Sequence, residues 1–188
     1  NTKIIFICSP NNPTGSSVSR IDLLKLLKAR NDQSIVVVDE AYIEFSAEKS
    51  AVELIGKYPN LIILRTLSKA LGFAGARCGA VIGSNKVIMM LDAVQAPYAL
   101  ATPVVECIED VMQSEQLEAS KKIIDDIINE REYLIESINK LPFVRKVWPS
   151  DANFFLIFVE NTKLVMKATS DKNILLRNFE YKLPGCIR

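Results

Sequence analysis

The sequence predicts an α/β protein in which a mostly parallel sheet flanked by helices is followed by a smaller α+β unit. Three observations indicate this architecture. Short apolar runs in the first half do not alternate with polar residues, which is typical of strands buried on both faces of a sheet. Helical segments separate these runs, as connections between parallel strands require. A long amphipathic helix then leads into shorter, mixed strand and helix signals.

The predicted strands of the first half lie at residues 4–8, 35–38, 61–64 and 78–82. Between the first two, Ser19 and Asp22 match a capping box, and a run of leucines follows with helical spacing. A short helix is predicted at residues 51–57. The order strand, helix, strand, helix, strand predicts a parallel sheet wrapped by helices.

The second half carries two shorter helices, one long helix and a second set of strands. Ser84 is predicted to cap a helix that reaches residue 94, Pro97 breaks the pattern, and Thr102 with Pro103 opens the next helix. Further elements are predicted as a long helix at 117–141, strands at 144–148 and 154–159, a helix at 162–168, a strand at 174–177 and a strand beginning at 186. We therefore expect a large unit at residues 1–114 and a small one at residues 115–188.

Composition limits the classes of protein and the chemistry available. The chain has 188 residues, 49% of them hydrophobic, with a net charge of +1, so a sizeable core is available and no nucleic-acid or membrane-surface partner is indicated. No apolar run has the length of about 18 residues that a membrane helix needs. Histidine is absent, which excludes Ser-His or Cys-His catalysis and His-ligated metal within the chain. The four cysteines lack metal-ligand or disulfide spacing, so we expect reduced thiols of a cytoplasmic protein and no metal site.

The segment TLSKALGFAGARCG at residues 66–79 carries the most chemistry. Lys69 stands beside the hydroxyls of Thr66 and Ser68, with glycines and Arg77 close behind. A lysine amine can form a Schiff base with an aldehyde cofactor. Hydroxyls, flexible backbone and a guanidinium are groups that bind phosphate. The segment thus predicts a site for a phosphorylated aldehyde.

Polar residues also follow the two preceding strands. Asn12 comes after the first predicted strand and Asp39 directly after the second, while the 66–69 segment follows the third. Because the carboxyl ends of parallel strands share one edge of a sheet, these groups are expected to meet there. Arg77 precedes the fourth strand, so it reaches that edge only if the fourth strand runs antiparallel to the third. We predict that it does.

Each feature also has an ordinary interpretation. Asn-Pro-Thr-Gly alone predicts a turn, Asp39 could cap a helix, and Lys69 could be one of many surface lysines. Arg77 could serve only as an ion-pair partner. Their joint occurrence at successive strand ends favours a functional site over these separate explanations.

The chain resembles the fold-type I pyridoxal-phosphate (PLP) aminotransferases of the aspartate aminotransferase superfamily. The motifs that carry the resemblance are SPNNPTG at 9–15, DEAY at 39–42, TLSKALG at 66–72 and ARCG at 76–79. Within the superfamily it is most similar to histidinol-phosphate aminotransferases. That narrower match rests on APY at 96–98, SDANF at 150–154, LLR at 175–177 and PGCIR at 184–188, while NFEYKL at 178–183 departs from the pattern.

The resemblance implies a role for each residue around the cofactor. Lys69 would hold PLP through its amine and move the substrate proton, and Asp39 would pair with the pyridine nitrogen. Asn12 and Tyr42 would bond the phenolic oxygen, so that Lys69, Asp39 and Tyr42 are the expected catalytic residues. Ala41 would lie against the ring. Thr66, Ser68 and Arg77 would bind the phosphate.

Substrate residues are implied in the same way. Arg188 would bind a substrate carboxylate and Arg177 the phosphate of histidinol phosphate, since a guanidinium suits both groups. Asn153 and Tyr98 would line the substrate pocket.

The resemblance also implies a reaction, in which histidinol phosphate and 2-oxoglutarate give imidazole acetol phosphate and glutamate in histidine biosynthesis. It implies a cytoplasmic homodimer as well. Alternatives are an aromatic or other amino-acid aminotransferase, a PLP-dependent threonine-phosphate decarboxylase, a PLP-sensing regulator domain, or an inactive fragment. Because the family pattern includes an upstream half and a tyrosine donated across the dimer, we expect the sequence to be a partial chain.

Overall fold

A computed structural model describes residues 1–188 and contains two sheets. The first sheet has four strands in the order β1-β2-β3-β4: β1 (Ile4–Cys8), β2 (Ile35–Asp39), β3 (Leu61–Thr66) and β4 (Gly79–Gly83). The strands β1, β2 and β3 are parallel to one another, and β4 is antiparallel to β3. The α/β class and the antiparallel fourth strand are therefore confirmed.

Helix α1 (Arg20–Arg30) connects β1 to β2 and covers one face of the sheet. It begins where predicted, because the Ser19 hydroxyl caps it by accepting the Asp22 N–H at 3.1 Å. Its buried leucines pack on the inward side chains of β2 and β3, forming the main core of Leu23, Leu27, Val36, Val38, Ala51, Leu54, Leu61 and Ile63. The helix predicted at residues 51–57 is only a 3₁₀ turn, Ala51–Leu54.

The expectation that these strands are buried on both faces holds for β2 but fails for β1 and β4. Phe6 in β1 is 71% exposed, and most of β4 is exposed as well. Each of these two strands has a neighbour on one side only, so its outer edge is unpaired. An apolar run predicts a strand, but it does not show whether both faces of that strand are covered or both of its edges are paired.

Three helices follow the first sheet. They are α2 (Asn85–Asp92), α3 (Thr102–Val111) and α4 (Ser114–Ile138). Ser84 precedes α2, but its hydroxyl donates to the Pro59 carbonyl at 3.1 Å and does not cap the helix. The residue preceding α3 is Ala101, which places Thr102 and Pro103 within its first turn. No helix in the chain combines the length and apolar composition that crossing a membrane would take.

The second sheet is antiparallel and smaller. It pairs β5 (Val144–Val147) with β6 (Ile157–Val159) and β6 with β7 (Cys186–Ile187), and α5 (Thr162–Ser170) lies between β6 and β7 in the chain. The predicted strand at 154–159 is thus shorter than expected.

The predicted strand at 174–177 is wrong. This segment has no strand of its own: Leu175 is 89% exposed, and Leu176 is partly buried against the apolar core of the second sheet. Pairing begins only at its end, where Arg177 and Arg188 exchange two backbone hydrogen bonds of 3.0 and 2.9 Å. Apolar residues alone do not supply the neighbouring backbone that a strand requires.

Candidate active site

The carboxyl ends of β2 and β3 border a depression of about 410 Å³. Its lining residues include Asp39, Ala41, Thr66, Ser68, Lys69 and Arg77. The parallel pairing of β2 and β3 places the first five at one edge, as their positions at the ends of the predicted strands indicate. The structure therefore brings together six of the residues that the sequence predicted for cofactor binding.

Asp39 is the last residue of β2 and is partly buried. One carboxylate oxygen accepts the Ala41 N–H at 3.0 Å, which orients the side chain at the start of the following loop. Burial raises the pKa of the neighbouring Cys8 thiol, and the negative charge of Asp39 raises it further. Cys8 is therefore a neutral neighbour at neutral pH, and it adds no second negative charge beside Asp39.

The loop after β3 is organised by the Thr66 hydroxyl. Thr66 Oγ1 accepts the Ser68 N–H at 3.1 Å and lies 3.4 Å from the Cys78 carbonyl, to which it can donate. Because β4 is antiparallel to β3, Thr66 is paired with Gly79, and Arg77 returns to the same end of the sheet. Arg77 has a left-handed backbone with φ of 53°, and its Nη1 donates to the Ala74 carbonyl at 3.0 Å. Its exposed guanidinium thus borders the depression, together with the two hydroxyls.

Tyr42 connects Lys69 with Asn12. The Lys69 Nζ lies 5.5 Å from the centre of the Tyr42 ring, close enough for a cation–π interaction. Asn12 Nδ2 donates to the Tyr42 hydroxyl at 3.3 Å. The amine and the two hydrogen-bonding groups are therefore within one connected cluster.

Arg188 joins this cluster from the second sheet. Its Nη1 donates to Asn12 Oδ1 at 2.6 Å, and its guanidinium carbon lies 4.6 Å from the Phe154 ring centre and 5.7 Å from that of Phe179. Phe154 also meets the Tyr42 ring edge to face, with centroids 5.1 Å apart. The rings of Phe154 and Phe179 thus flank the guanidinium of Arg188 and keep it beside Asn12.

The other predicted substrate residues do not reach the cluster in this structure. The side chain of Arg177 is exposed, although its backbone is bonded to Arg188. Asn153 is exposed next to Phe154. Tyr98 is 98% exposed and does not line the depression. Their roles stay predictions.

The sequence reasoning missed three residues that support the cluster. Phe154 and Phe179 contact Arg188, and Arg131 on α4 is buried although its side chain is charged. One signal could have identified Arg131, because helical spacing places it in the same stripe as the apolar residues Ile124, Ile127 and Ile128. No comparable pattern marks Phe179.

The whole chain, residues 1–188, matches the family model described as aminotransferase class I and II. It is 40% identical to histidinol-phosphate aminotransferase 2 of Mannheimia succiniciproducens, over 99% of this chain and 54% of that protein. It is 41% identical to the histidinol-phosphate aminotransferase of Escherichia coli O45:K1, over 99% of this chain and 53% of that protein. The chain thus spans about half the length of the curated relatives that it matches.

Solved structures with the same fold include both aminotransferases and a decarboxylase. A histidinol-phosphate aminotransferase from Clostridium acetobutylicum superposes with a TM-score of 0.83 at 25% identity, covering 98% of this chain and 57% of that one. An L-threonine-O-3-phosphate decarboxylase from Porphyromonas gingivalis gives 0.83 at 23% identity, covering 98% and 58%. A histidinol-phosphate aminotransferase from Sinorhizobium meliloti in complex with pyridoxal-5′-phosphate gives 0.81 at 24%, covering 98% and 51%.

Proposed function

Because the chain belongs to the class I and II aminotransferase family, we propose that its depression forms part of a PLP site that catalyses transamination. We propose histidinol phosphate as the amino donor and 2-oxoglutarate as the acceptor. The observation that carries the proposal is the meeting of a carboxylate, an amine and a hydroxyl–guanidinium group in one depression, as Asp39, Lys69 and Thr66 with Ser68 and Arg77.

The residues present suit the cofactor in charge and in size. A volume of about 410 Å³ lies within the range of small-molecule sites. Arg77 and two hydroxyls suit a phosphate, whereas Asp39 suits a protonated ring nitrogen. No hydrogen bond within the chain uses the second carboxylate oxygen of Asp39, which leaves it available for such a partner.

When bound, PLP supplies a ring that accepts the electrons released as the substrate Cα loses its proton. Asp39 would stabilise the protonated ring nitrogen through its negative charge. The Lys69 amine would take the proton from Cα and return it, which is general base and then general acid catalysis. Asn12 and Tyr42, already hydrogen-bonded to each other, would donate to the phenolic oxygen of the cofactor.

We propose that Arg188 binds the carboxylate of glutamate and 2-oxoglutarate. Its contact with Asn12 supports this, because it places a planar, doubly donating group beside the cluster. Arg177 is proposed to bind the phosphate of histidinol phosphate, with support from its backbone pairing to Arg188. Tyr98 and Asn153 are proposed pocket residues. The choice of histidinol phosphate is supported by the names of relatives about 40% identical to the chain.

We also propose how the chain is divided into units, that the protein is a homodimer and that it is cytoplasmic. We infer a large unit at residues 1–114 and a small one at residues 115–188, supported by the start of α4 at Ser114. A homodimer is supported by large apolar side chains left exposed around α2, among them Met89, Met90 and Val94. All four cysteines are free, which suits the reducing cytoplasm.

Covalent trapping tests the proposed cofactor site. The complete protein that carries this chain is incubated with PLP, reduced with borohydride and mapped by peptide mass spectrometry. The label is expected on Lys69 and should disappear in Lys69→Arg but persist in Lys57→Arg, which changes an exposed lysine outside the depression. Label on another lysine with Lys69 unmodified would contradict the assignment.

The substrate proposal needs its own measurement. Turnover with 2-oxoglutarate is compared for histidinol phosphate, phenylalanine and threonine phosphate as amino donors. We expect the highest kcat/KM for histidinol phosphate. Higher kcat/KM for phenylalanine would indicate an aromatic aminotransferase, and release of carbon dioxide from threonine phosphate would indicate a decarboxylase.

A further inference from the structure

Arg131 connects the two sheets through a single buried guanidinium. It lies on α4, is 9% exposed, and its Nη1 donates to the Phe45 carbonyl at 3.1 Å and to the Ala152 carbonyl at 2.9 Å. Phe45 belongs to the 3₁₀ turn that follows β2, whereas Ala152 belongs to the segment that leads into β6. One nitrogen therefore bridges chain segments that are more than 100 residues apart in sequence.

The bridge lies where water cannot replace it. Phe45 is 1% exposed and Ala152 is fully buried, and both belong to one apolar cluster with Tyr42. A buried carbonyl without a donor is costly, so both acceptors depend on a donor at this position. A guanidinium nitrogen carries two N–H groups in a fixed plane and can serve both. An ammonium group on a shorter stem lacks this fixed geometry.

The two bridged segments carry Phe154, whose ring contacts Arg188, and Tyr42, whose ring contacts Phe154. The Phe45 N–H donates to the Tyr42 carbonyl at 3.1 Å, so the turn fixed by Arg131 is the one that presents Tyr42. Ala152 lies two residues before Phe154, whose ring contacts both Tyr42 and Arg188.

We propose that Arg131 is a positioning residue for carboxylate recognition. It holds residues 150–154 against residues 42–45, which sets the place of Phe154 and thereby keeps Arg188 beside Asn12. The effect on carboxylate binding rests on the proposed function, whereas the effect on the junction between the two segments does not. A residue with only a packing role would weaken every property of the protein together.

A backbone hydrogen bond provides a direct reporter of this junction. The Asp151 N–H donates to the Gly15 carbonyl at 2.8 Å, so it connects residues 150–154 with the loop after β1. Hydrogen exchange of a peptide covering residues 149–155 therefore measures opening of the junction without reference to activity. A peptide covering β2 serves as the internal standard.

The experiment compares Arg131→Lys, Arg131→Gln and the control Arg145→Lys in the complete protein that carries this chain. Arg145 is an exposed arginine of the second sheet that is paired with Glu160, so its replacement makes the same chemical change away from the junction. Hydrogen exchange, PLP affinity and 2-oxoglutarate affinity are measured, the last by calorimetry. Arg131→Lys is the variant most able to fold, because it retains a buried cation.

In Arg131→Lys we expect exchange at 149–155 to quicken about tenfold and 2-oxoglutarate to bind about tenfold more weakly, with PLP affinity within about twofold. The Arg145→Lys control should match the wild type. Unchanged exchange at 149–155, or equal losses of PLP and 2-oxoglutarate affinity, would overturn the proposal. If the wild type fails to bind 2-oxoglutarate, the proposed function fails, and the carboxylate part of this inference is overturned with it.

Discussion

At the scale of single residues, Asp39 offers the sharpest test of the proposed chemistry. Asp39→Asn keeps the shape and the hydrogen bond to Ala41 but removes the charge that would stabilise a protonated ring nitrogen. We expect turnover to fall at least about 100-fold, since loss of a positioned electrostatic group costs about 3 kcal/mol.

The melting temperature separates this effect from unfolding. In Asp39→Asn it should stay within about 3 °C of the wild type, which corresponds to about 1 kcal/mol in a chain of this size. Asp126→Asn, on the exposed side of α4, is the control and should change neither quantity. Turnover of Asp39→Asn within threefold of the wild type would show that Asp39 does not face the ring nitrogen.

Arg77 is expected to act on retention of the cofactor. Arg77→Ala should raise the Kd of PLP at least about tenfold, because a charged hydrogen bond to phosphate is worth about 1.5–3 kcal/mol. The left-handed backbone of Arg77 requires a control, since alanine is strained at a φ of 53°. Arg77→Gly removes the guanidinium without that strain and should weaken PLP to the same extent. Normal affinity in Arg77→Gly would remove Arg77 from the phosphate site.

Individual site residues could be predicted where a local pattern marks them. Asp39 and Lys69 each stand at or just after the carboxyl end of an apolar run, and the sequence pattern of separated runs predicts that these runs are parallel. No local pattern marks Phe179, and helical spacing indicates that Arg131 faces the core but not which groups it contacts. Their importance comes from contacts with Arg188 and Ala152, which are made only once the two sheets have come together.

At the scale of elements, the bounds of the three parallel strands of the first sheet were predicted closely. The bounds of β1 agree with the sequence pattern, and those of β2 and β3 differ only by residues added at the carboxyl end. The strand predicted at 174–177 was wrong, because the apolar residues of this segment resemble a strand but have no neighbouring backbone to pair with along their length. Apolar pattern is a property of one segment, whereas pairing is a property of two.

The loop after β1 depends on a glycine for two reasons. Gly15 has φ of 77°, where side chains are disfavoured, and a Cβ at this position would overlap the side chain of Ser150. Gly15→Ala should therefore lower the free energy of unfolding by about 1–3 kcal/mol, measured by urea denaturation.

A second glycine supplies the matched comparison. Gly56 has open space around its Cβ position and no left-handed backbone, so Gly56→Ala should stay within about 0.5 kcal/mol of the wild type or stabilise the fold. Equal effects of the two substitutions would show that Ser150 yields to a methyl group and that the contact does not determine the loop.

At the scale of the whole molecule, the two sheets are expected to divide the recognition of the two substrates. Arg188→Lys loses the planar pair of donors, so it should slow the half-reaction with glutamate most. Arg177→Ala should slow the half-reaction with histidinol phosphate most, because it removes the proposed phosphate contact. Each half-reaction is followed by single-turnover absorbance of the cofactor in the complete protein.

The pattern of losses matters more than their size. Equal slowing of both half-reactions by Arg177→Ala would argue against phosphate recognition by this side chain. It would leave a general aminotransferase in which histidinol phosphate has no advantage over other amines. Loss confined to glutamate in Arg188→Lys would support the carboxylate role irrespective of the amino donor.

The unpaired outer edges of β1 and β4 have a consequence for the colloidal behaviour of the 188-residue chain. An uncovered strand edge offers its free N–H and C=O groups as a template for another molecule, and the exposed ring of Phe6 adds apolar area beside one such edge. Because the sheet has two unpaired edges, further molecules can add to an assembly at both ends. Produced alone, the chain is therefore expected to self-associate into extended species as its concentration rises, and a charged residue at position 6, as in Phe6→Lys, should keep it dispersed longer.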